Sequence, residues 1–282
     1  MTEPHSPITK LGIIAGGGSL PDRLVHACDQ RNIDVFIIGF DGQTDPRLMQ
    51  GRAHHWTRYG TAADIFKVLK QQGVQDLVMI GAMKRPSVAE LRPDFATTAL
   101  LMRIGLSAFG DDGLLSAIRK LLESEGFTLH GIQEFAADLL APAGAVGQHT
   151  PSDSDWDDIR RGLEVARALG SLDVGQACVV QESLILGVEG VEGTNGLIDR
   201  TGDLKKDGPG PILVKVRKPQ QDNSLDLPTI GPETIERAVY AGFRGIVFEA
   251  GTTLLIDPET VAEQADQANV YVYGLEPDAK TE

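Results

Sequence analysis

Cysteine is scarce. Cys28 and Cys178 are the chain's two, both in apolar-patterned segments, and no C-x-x-C pair exists. That excludes a disulfide framework and a structural zinc, and leaves two buried, reduced thiols as the expectation. Positive charge is also in deficit. Lys and Arg total 26 against 40 Asp and Glu, a formal net charge of −14. Such a balance argues against nonspecific nucleic-acid binding and against electrostatic attachment to anionic lipid. No apolar run approaches the ~20 residues of a membrane-spanning helix. The opening MTEPHSPITK lacks the basic start and apolar core of a secretion signal, so a cytoplasmic location is expected. The six histidines show no metal-ligand spacing. There is no G-x-S-x-G nucleophile elbow and no P-loop.

What is present is a 282-residue chain with 41% hydrophobic residues, enough for a packed core and two domains. Residues 10–16, 35–39 and 76–81 read as apolar strands, with helical stretches at 22–32 and 61–72 between them. Strands alternating with helices indicate a parallel sheet, so residues 1–150 are expected to form a Rossmann-like domain including a linker. The helix at 116–125 and a short strand at 127–131 complete it. The linker is expected in the turn-rich run Pro142–Ser154. Residues 151–282 open with a helix at 156–169, capped by Asp153 or Ser154. A hairpin turning at Glu182–Ser183, a strand around ILVKVRK and a helix at 232–241 follow. A second hairpin around Gly251–Thr252, a helix at 258–269 and a last strand, VYVYGL, end the chain. The fold class expected is α/β: a parallel sheet, then a mixed α/β domain, with the ligand site between them.

Several polar runs carry potential chemistry. IIAGGGSLP brings bare amides to a helix N-terminus, which attracts anions, and Gly18, Ser19 and Leu20 are the candidate contacts. The run does not complete a dinucleotide fingerprint, and a ligand-free turn is an alternative. IGAMKRP puts Gly81, Lys84 and Arg85 at the same sheet edge, or makes a solvated basic turn. Asp111 and Asp112 fit a helix cap better than a magnesium site. QESLILGVEGVEGTNGLIDR crowds Glu182, Glu192, Thr194 and Asn195 among glycines, as a binding loop or a polar hairpin. KVRKPQQDNSLDLPTIG sets Lys215, Arg217 and Lys218 ahead of a lone Asp226 and Thr229. Pro228 stiffens the loop, and cations beside one carboxylate suit a phosphate with its metal.

Taken in order, these four runs resemble the UDP-2,3-diacylglucosamine pyrophosphatases of the LpxI type, over nearly the whole chain. DLPTIG and EGTN are the most specific parts. The resemblance implies hydrolysis of UDP-2,3-diacylglucosamine to UMP and 2,3-diacylglucosamine 1-phosphate (lipid X), a step of lipid A biosynthesis. Water would attack the phosphorus on the glucosamine side. It implies that Asp226 is catalytic, that the glycine loop faces substrate and that Thr194 lies at the pocket. On this basis Mg2+ is the expected cofactor, with Asp226, Glu182 and Glu192 as metal ligands. Lys215 and Lys218 would offset phosphate charge. The expected partner is a lipid-linked nucleotide sugar, met through transient contact with the inner-membrane surface. An apolar run at 99–104 is a binding surface or, more simply, core. Two other classes stay open. One is an NAD-type oxidoreductase, with Asp41 at the end of the second strand; the other is a noncatalytic nucleotide-sugar sensor.

Overall fold

A computed structural model describes residues 7–83, 111–219 and 227–276, with side chains from 116 onward in the second segment. The chain divides into two compact units, with the boundary between Ala137 and Asp138. Among the described residues, no helix is long and apolar enough to cross a membrane.

The first unit is built on a five-stranded sheet in the order β3-β2-β1-β4-β5. Its strands are β1 (Lys10–Ala15), β2 (Asp34–Phe40), β3 (His54–Thr57), β4 (Asp76–Ile80) and β5 (Thr128–Leu129), all parallel. Helices α1 (Leu20–Gln30), α2 (Ala62–Gln71) and α3 (Asp111–Ser124) belong to it. Parallel strands need cover on both faces, so alternate residues serve opposite helices. Ile14, Phe36 and Ile38 pack with Ile65, Phe66, Leu69, Leu121 and Leu122. Ile13, Ile37 and Val78, at the alternate positions, are equally buried. β3 escaped the sequence reading because HHWT has no apolar run; backbone pairing to β2 makes it a strand. Helix α1 starts two residues earlier than expected, placing Pro21 in its first turn, where a missing N–H costs nothing.

The second unit carries a six-stranded mixed sheet, β6-β13-β11-β9-β7-β8. Its parallel centre is β9 (Ile212–Lys215), β11 (Gly245–Glu249) and β13 (Tyr271–Leu275). β6 (Gly144–Ala145) and the hairpin of β7 (Ala177–Gln181) and β8 (Leu184–Val188) flank it. Helix α4 (Asp155–Ser171) packs through Ile159, Leu163 and Ala166 on Cys178, Val180, Ile212, Val214 and Val247. Helices α5 (Gly193–Gly202), α6 (Pro232–Tyr240) and α7 (Pro258–Ala268) cover the other face, against Val179, Leu213, Ile246 and Val272. The one-residue alternation between these two sets is the period of a strand.

Four local expectations are corrected. The run Pro142–Ser154 belongs to the second unit, since Gly144 and Ala145 pair with Gly274 and Tyr273. The expected hairpin at Gly251 does not form. β11 pairs in parallel with β9 and β13, while β12 (Leu254–Leu255) pairs in parallel with β10 (Thr229–Ile230) in a separate sheet. Two β-like runs separated by a glycine turn look alike whether they fold back or part company. EGTNGLIDR is largely helix α5, because Leu197 and Ile198 bury together against the sheet. Finally, Ser154 occupies the N-cap of α4 but its hydroxyl bonds Ser152 Oγ at 2.9 Å and caps no helix N–H; Asp155 accepts the Ser152 N–H at 2.7 Å.

Candidate functional site

Two polar constellations stand at the carboxyl edges of the two sheets, where ligands of open α/β sheets collect. In the first unit the chain leaves β1 through Gly16–Ser19. Gly16 donates its N–H to Ile80 O at 2.8 Å, and Gly17 exchanges bonds with Ala82 at 2.7 and 2.9 Å. Gly81, at φ +101°, permits this approach; a Cβ there would lie 2.7 Å from Gly17 O. Gly81 thus has a packing task, holding the β4 loop against the glycine loop. The loop's remaining amides differ. Among the described residues nothing accepts from the N–H of Gly18 or Ser19. Gly18 (φ +86°) has open space where a Cβ would be. Gly18 and Ser19 are exposed, whereas the Leu20 side chain is buried, so Leu20 offers a ligand only its backbone. Beside this loop lies a cleft of about 760 Å³ lined by Gly18, Ser19, Asp22, Asp41, Asp45 and Trp56, among others. Arg47, on the same rim, is spent on Asp45 through bonds of 2.6 to 3.2 Å. That pairing holds the Asp45 carboxyl below its ordinary range. Lys84 and Arg85 lie outside the described residues.

In the second unit β9 delivers Lys215 to the carboxyl edge, buried with its aliphatic stem among sheet residues. Lys215 Nζ donates to Thr229 O at 2.9 Å. Leu254 N–H donates to Pro228 O at 2.7 Å, and Thr229 Oγ1 donates to Leu227 O at 3.2 Å. These bonds pin the chain immediately after Asp226, which itself lies outside the described residues. Lys218 is not an open phosphate cation: it is buried, and its Nζ pairs with Asp173 Oδ1 at 2.7 Å. Glu249, ending β11, accepts from Arg167 Nη2 at 3.0 Å and from the Arg217 N–H at 3.1 Å. Glu189, just past β8, accepts from Gln176 N–H at 2.8 Å and from Thr194 Oγ1 at 2.7 Å. Asn195 donates to Glu233 at 3.0 Å, tying α5 to α6.

The expected metal ligands do not converge. Glu182 sits in the β7–β8 turn with φ +49°, its N–H donated to Asp158 at 2.9 Å. Glu192 lies beyond the other end of β8, paired with Arg200 at 2.9 Å. Five strand residues separate the two by roughly 16 Å, so one ion cannot take both. Glu182 is moreover at the amino ends of β9 and β11, the edge opposite Lys215. Among the described residues no group of three or more His, Cys, Asp or Glu could hold a metal. Burial pushes the thiols of Cys28 and Cys178 up, to about 11 and about 12, so neither supplies a thiolate.

Glu189, Glu249, Asp173 and Arg167 were missed in the sequence. The one signal for the two glutamates is a lone acid at the end of an apolar strand, VEG and FEAG, which a buried partner would explain.

The chain matches two family models, the LpxI N-terminal domain over residues 10–139 and the LpxI C-terminal domain over residues 142–273. It is 37% identical over 275 residues to the UDP-2,3-diacylglucosamine pyrophosphatase LpxI of Caulobacter vibrioides, covering 95% of this chain and 98% of that one. Among solved structures it is similar to the biotin carboxylase subunit of a pyruvate carboxylase, at 14% identity and TM-score 0.24, covering 61% of this chain and 35% of that one. A second similarity is to the biotin carboxylase domain of the Hydrogenobacter thermophilus 2-oxoglutarate carboxylase, at 13% identity and TM-score 0.23, covering 71% and 41%. Scores so low carry no argument about this fold. The two adjoining domain matches and the full-length relative together make the chain a member of the LpxI family.

Proposed function

We propose that this protein hydrolyses the pyrophosphate bond of UDP-2,3-diacylglucosamine, giving UMP and 2,3-diacylglucosamine 1-phosphate for lipid A biosynthesis. The observation that carries this reading is the end-to-end likeness to a pyrophosphatase of that name, including the segment around Asp226. One water is consumed. Its oxygen bonds to the phosphorus on the glucosamine side, the bridging P–O bond breaks, and UMP departs with the bridging oxygen. Asp226 orients that water and takes its proton. Lys215 acts at one remove: by gripping Thr229 O it fixes the chain that follows Asp226. The glycine loop's outward N–H groups supply fixed dipoles for the diphosphate without adding a charge.

Magnesium belongs to the same proposal, and the described carboxylates do not fit a protein-built shell for it. Glu189, Glu249 and Glu192 are already engaged by donors or arginine. The ion would rest on Asp226 and on substrate oxygens, as magnesium often does. We further propose brief contact with the inner leaflet. Leu172 (72% exposed) and Val191 (fully exposed) project from loops joined by the Gln176–Glu189 bond at the edge where Lys215 emerges.

The test is turnover in 18O-labelled water, with and without a chelator. The label should enter lipid X and not UMP, and chelation should stop the reaction until magnesium is restored. Label in UMP would reverse the assigned point of attack. Binding of the lipid nucleotide without any product would favour a sensor.

A further inference from the structure

The glycine loop that leaves β1 is held from both sides. On the β4 side, Gly16 N–H bonds Ile80 O and Gly17 exchanges bonds with Ala82. On the β2 side the hold comes from the loop that follows Phe40. A Cβ on Gly17 would lie 2.9 Å from Gln43 O, so the backbone of that loop packs directly on the glycine. The next residue, Thr44, supplies the bonds. It is 4% exposed. Its Oγ1 donates to Ala15 O at 2.5 Å and accepts from Phe40 N–H at 2.9 Å. Ala15 ends β1 and Phe40 ends β2. Thr44 N–H donates back to Phe40 O at 3.1 Å, and Gln43 N–H reaches the same oxygen at 3.0 Å. One hydroxyl thus joins two strand ends to the loop of residues 41–45.

A hydroxyl has one proton to donate, and here it goes to the carbonyl just before Gly16. Gly16, Gly17 and Gly18 have no side chains to anchor them, and Gly18 takes φ +86° with open space around it. A run so permissive keeps one course only if its ends are fixed. The far end is fixed by α1, where Arg23 N–H bonds Ser19 O at 3.1 Å. Thr44 fixes the near end.

We infer that Thr44 is a positioning residue for the reaction: by fixing Ala15 O, its hydroxyl aims the outward N–H groups of Gly18 and Ser19 at the diphosphate. The inference rests on the proposed function for the role of those amides. Without the hydroxyl, the buried Ala15 O and Phe40 N–H lose a partner, and the loop is free to turn its amides elsewhere. The amides meet the diphosphate as it binds, so the loss belongs in KM.

The test is a hydroxyl series at Thr44 in the full-length protein, assayed well below the melting temperature of every variant. Thr44→Val keeps the shape and removes the hydroxyl, whereas Thr44→Ser keeps the hydroxyl and removes a methyl. Thr44→Val should raise KM for UDP-2,3-diacylglucosamine about tenfold, leave kcat within about twofold, and weaken UDP binding in calorimetry about tenfold. Thr44→Ser should hold KM and UDP affinity within about threefold of the parent. Thr44→Cys, similar in size but a much weaker donor, should behave like Thr44→Val and replaces it if Thr44→Val does not fold. A parent-like KM in Thr44→Val or Thr44→Cys would overturn the assignment. So would a Thr44→Ser as impaired as Thr44→Val, or a loss confined to kcat. Failure of the hydrolysis reading would look different: the parent would release no UMP, while the series would still rank UDP affinity in this order.

Discussion

The carboxyl edges of the two sheets are built on opposite plans. In the first unit that edge is an open cleft whose polar groups are largely backbone amides and exposed aspartates. In the second it is a closed lattice, where Lys215, Lys218, Glu189 and Glu249 are buried and engaged with protein partners. The contrast teaches where each unit spends its polar groups. The first leaves donors and acceptors facing outward for a ligand to complete. The second uses its charges to brace loops, above all the segment that follows Asp226. A buried charge stripped of its partner is costly, so the second edge should answer substitution with lost order, and the first with lost binding.

The sharpest contrast comes from the far end of the second sheet. Asp158 accepts from Glu182 N–H at 2.9 Å, Ser183 N–H at 2.5 Å and Arg244 Nη2 at 2.6 Å, with 4% of its side chain exposed. Asp158→Ala should cost about 3–5 kcal/mol in a urea melt, with any activity loss explained by unfolding alone. Gly81→Ala adds left-handed strain and meets the Gly17 carbonyl. It should cost about 1–3 kcal/mol and, by parting the two loops, weaken UMP binding in titration. Lys215→Met keeps the stem and removes the bond to Thr229 O; kcat should fall about tenfold, roughly 1.4 kcal/mol, with UMP affinity unchanged. A parallel loss of UMP affinity would break the separation between the edges.

The smallest effect concerns His130, away from both edges. Burial opposes its charge, but bonds to Glu134 at 2.9 Å and Asp76 at 2.8 Å outweigh that and raise its pKa above the ordinary value. A raised folded pKa stabilises fully below the unfolded value of about 6.5 and ceases to do so as pH climbs through the folded pKa. His130→Gln should therefore cost about 1 kcal/mol at pH 6, and less as pH rises. Melts across pH 5.5–8.5 read this directly.

Much of this architecture was legible in advance. The apolar strands of 10–16, 35–39 and 76–81 declared a parallel sheet because fully buried strands must be continuously apolar. The Glu182–Ser183 turn was visible from polar residues interrupting two β runs, and both residues take positive φ. β3 was illegible because backbone pairing leaves no mark on HHWT. The Gly251 turn was misjudged because local sequence does not say whether a strand's partner is its neighbour. At the site, Gly18 and Ser19 could be singled out as exposed loop residues from the glycine run. Lys218 and Glu182 misled for one reason: a charged residue in a motif looks available until its partner, Asp173 for one and the turn geometry for the other, is seen.

The most direct test of the account compares UMP release from UDP-2,3-diacylglucosamine by the parent protein and by Asp226→Ala, with UMP affinity measured on both. The account predicts a fall in turnover of about a hundredfold or more while the variant melts normally and binds UMP as the parent does. Equal turnover by the two proteins would contradict it.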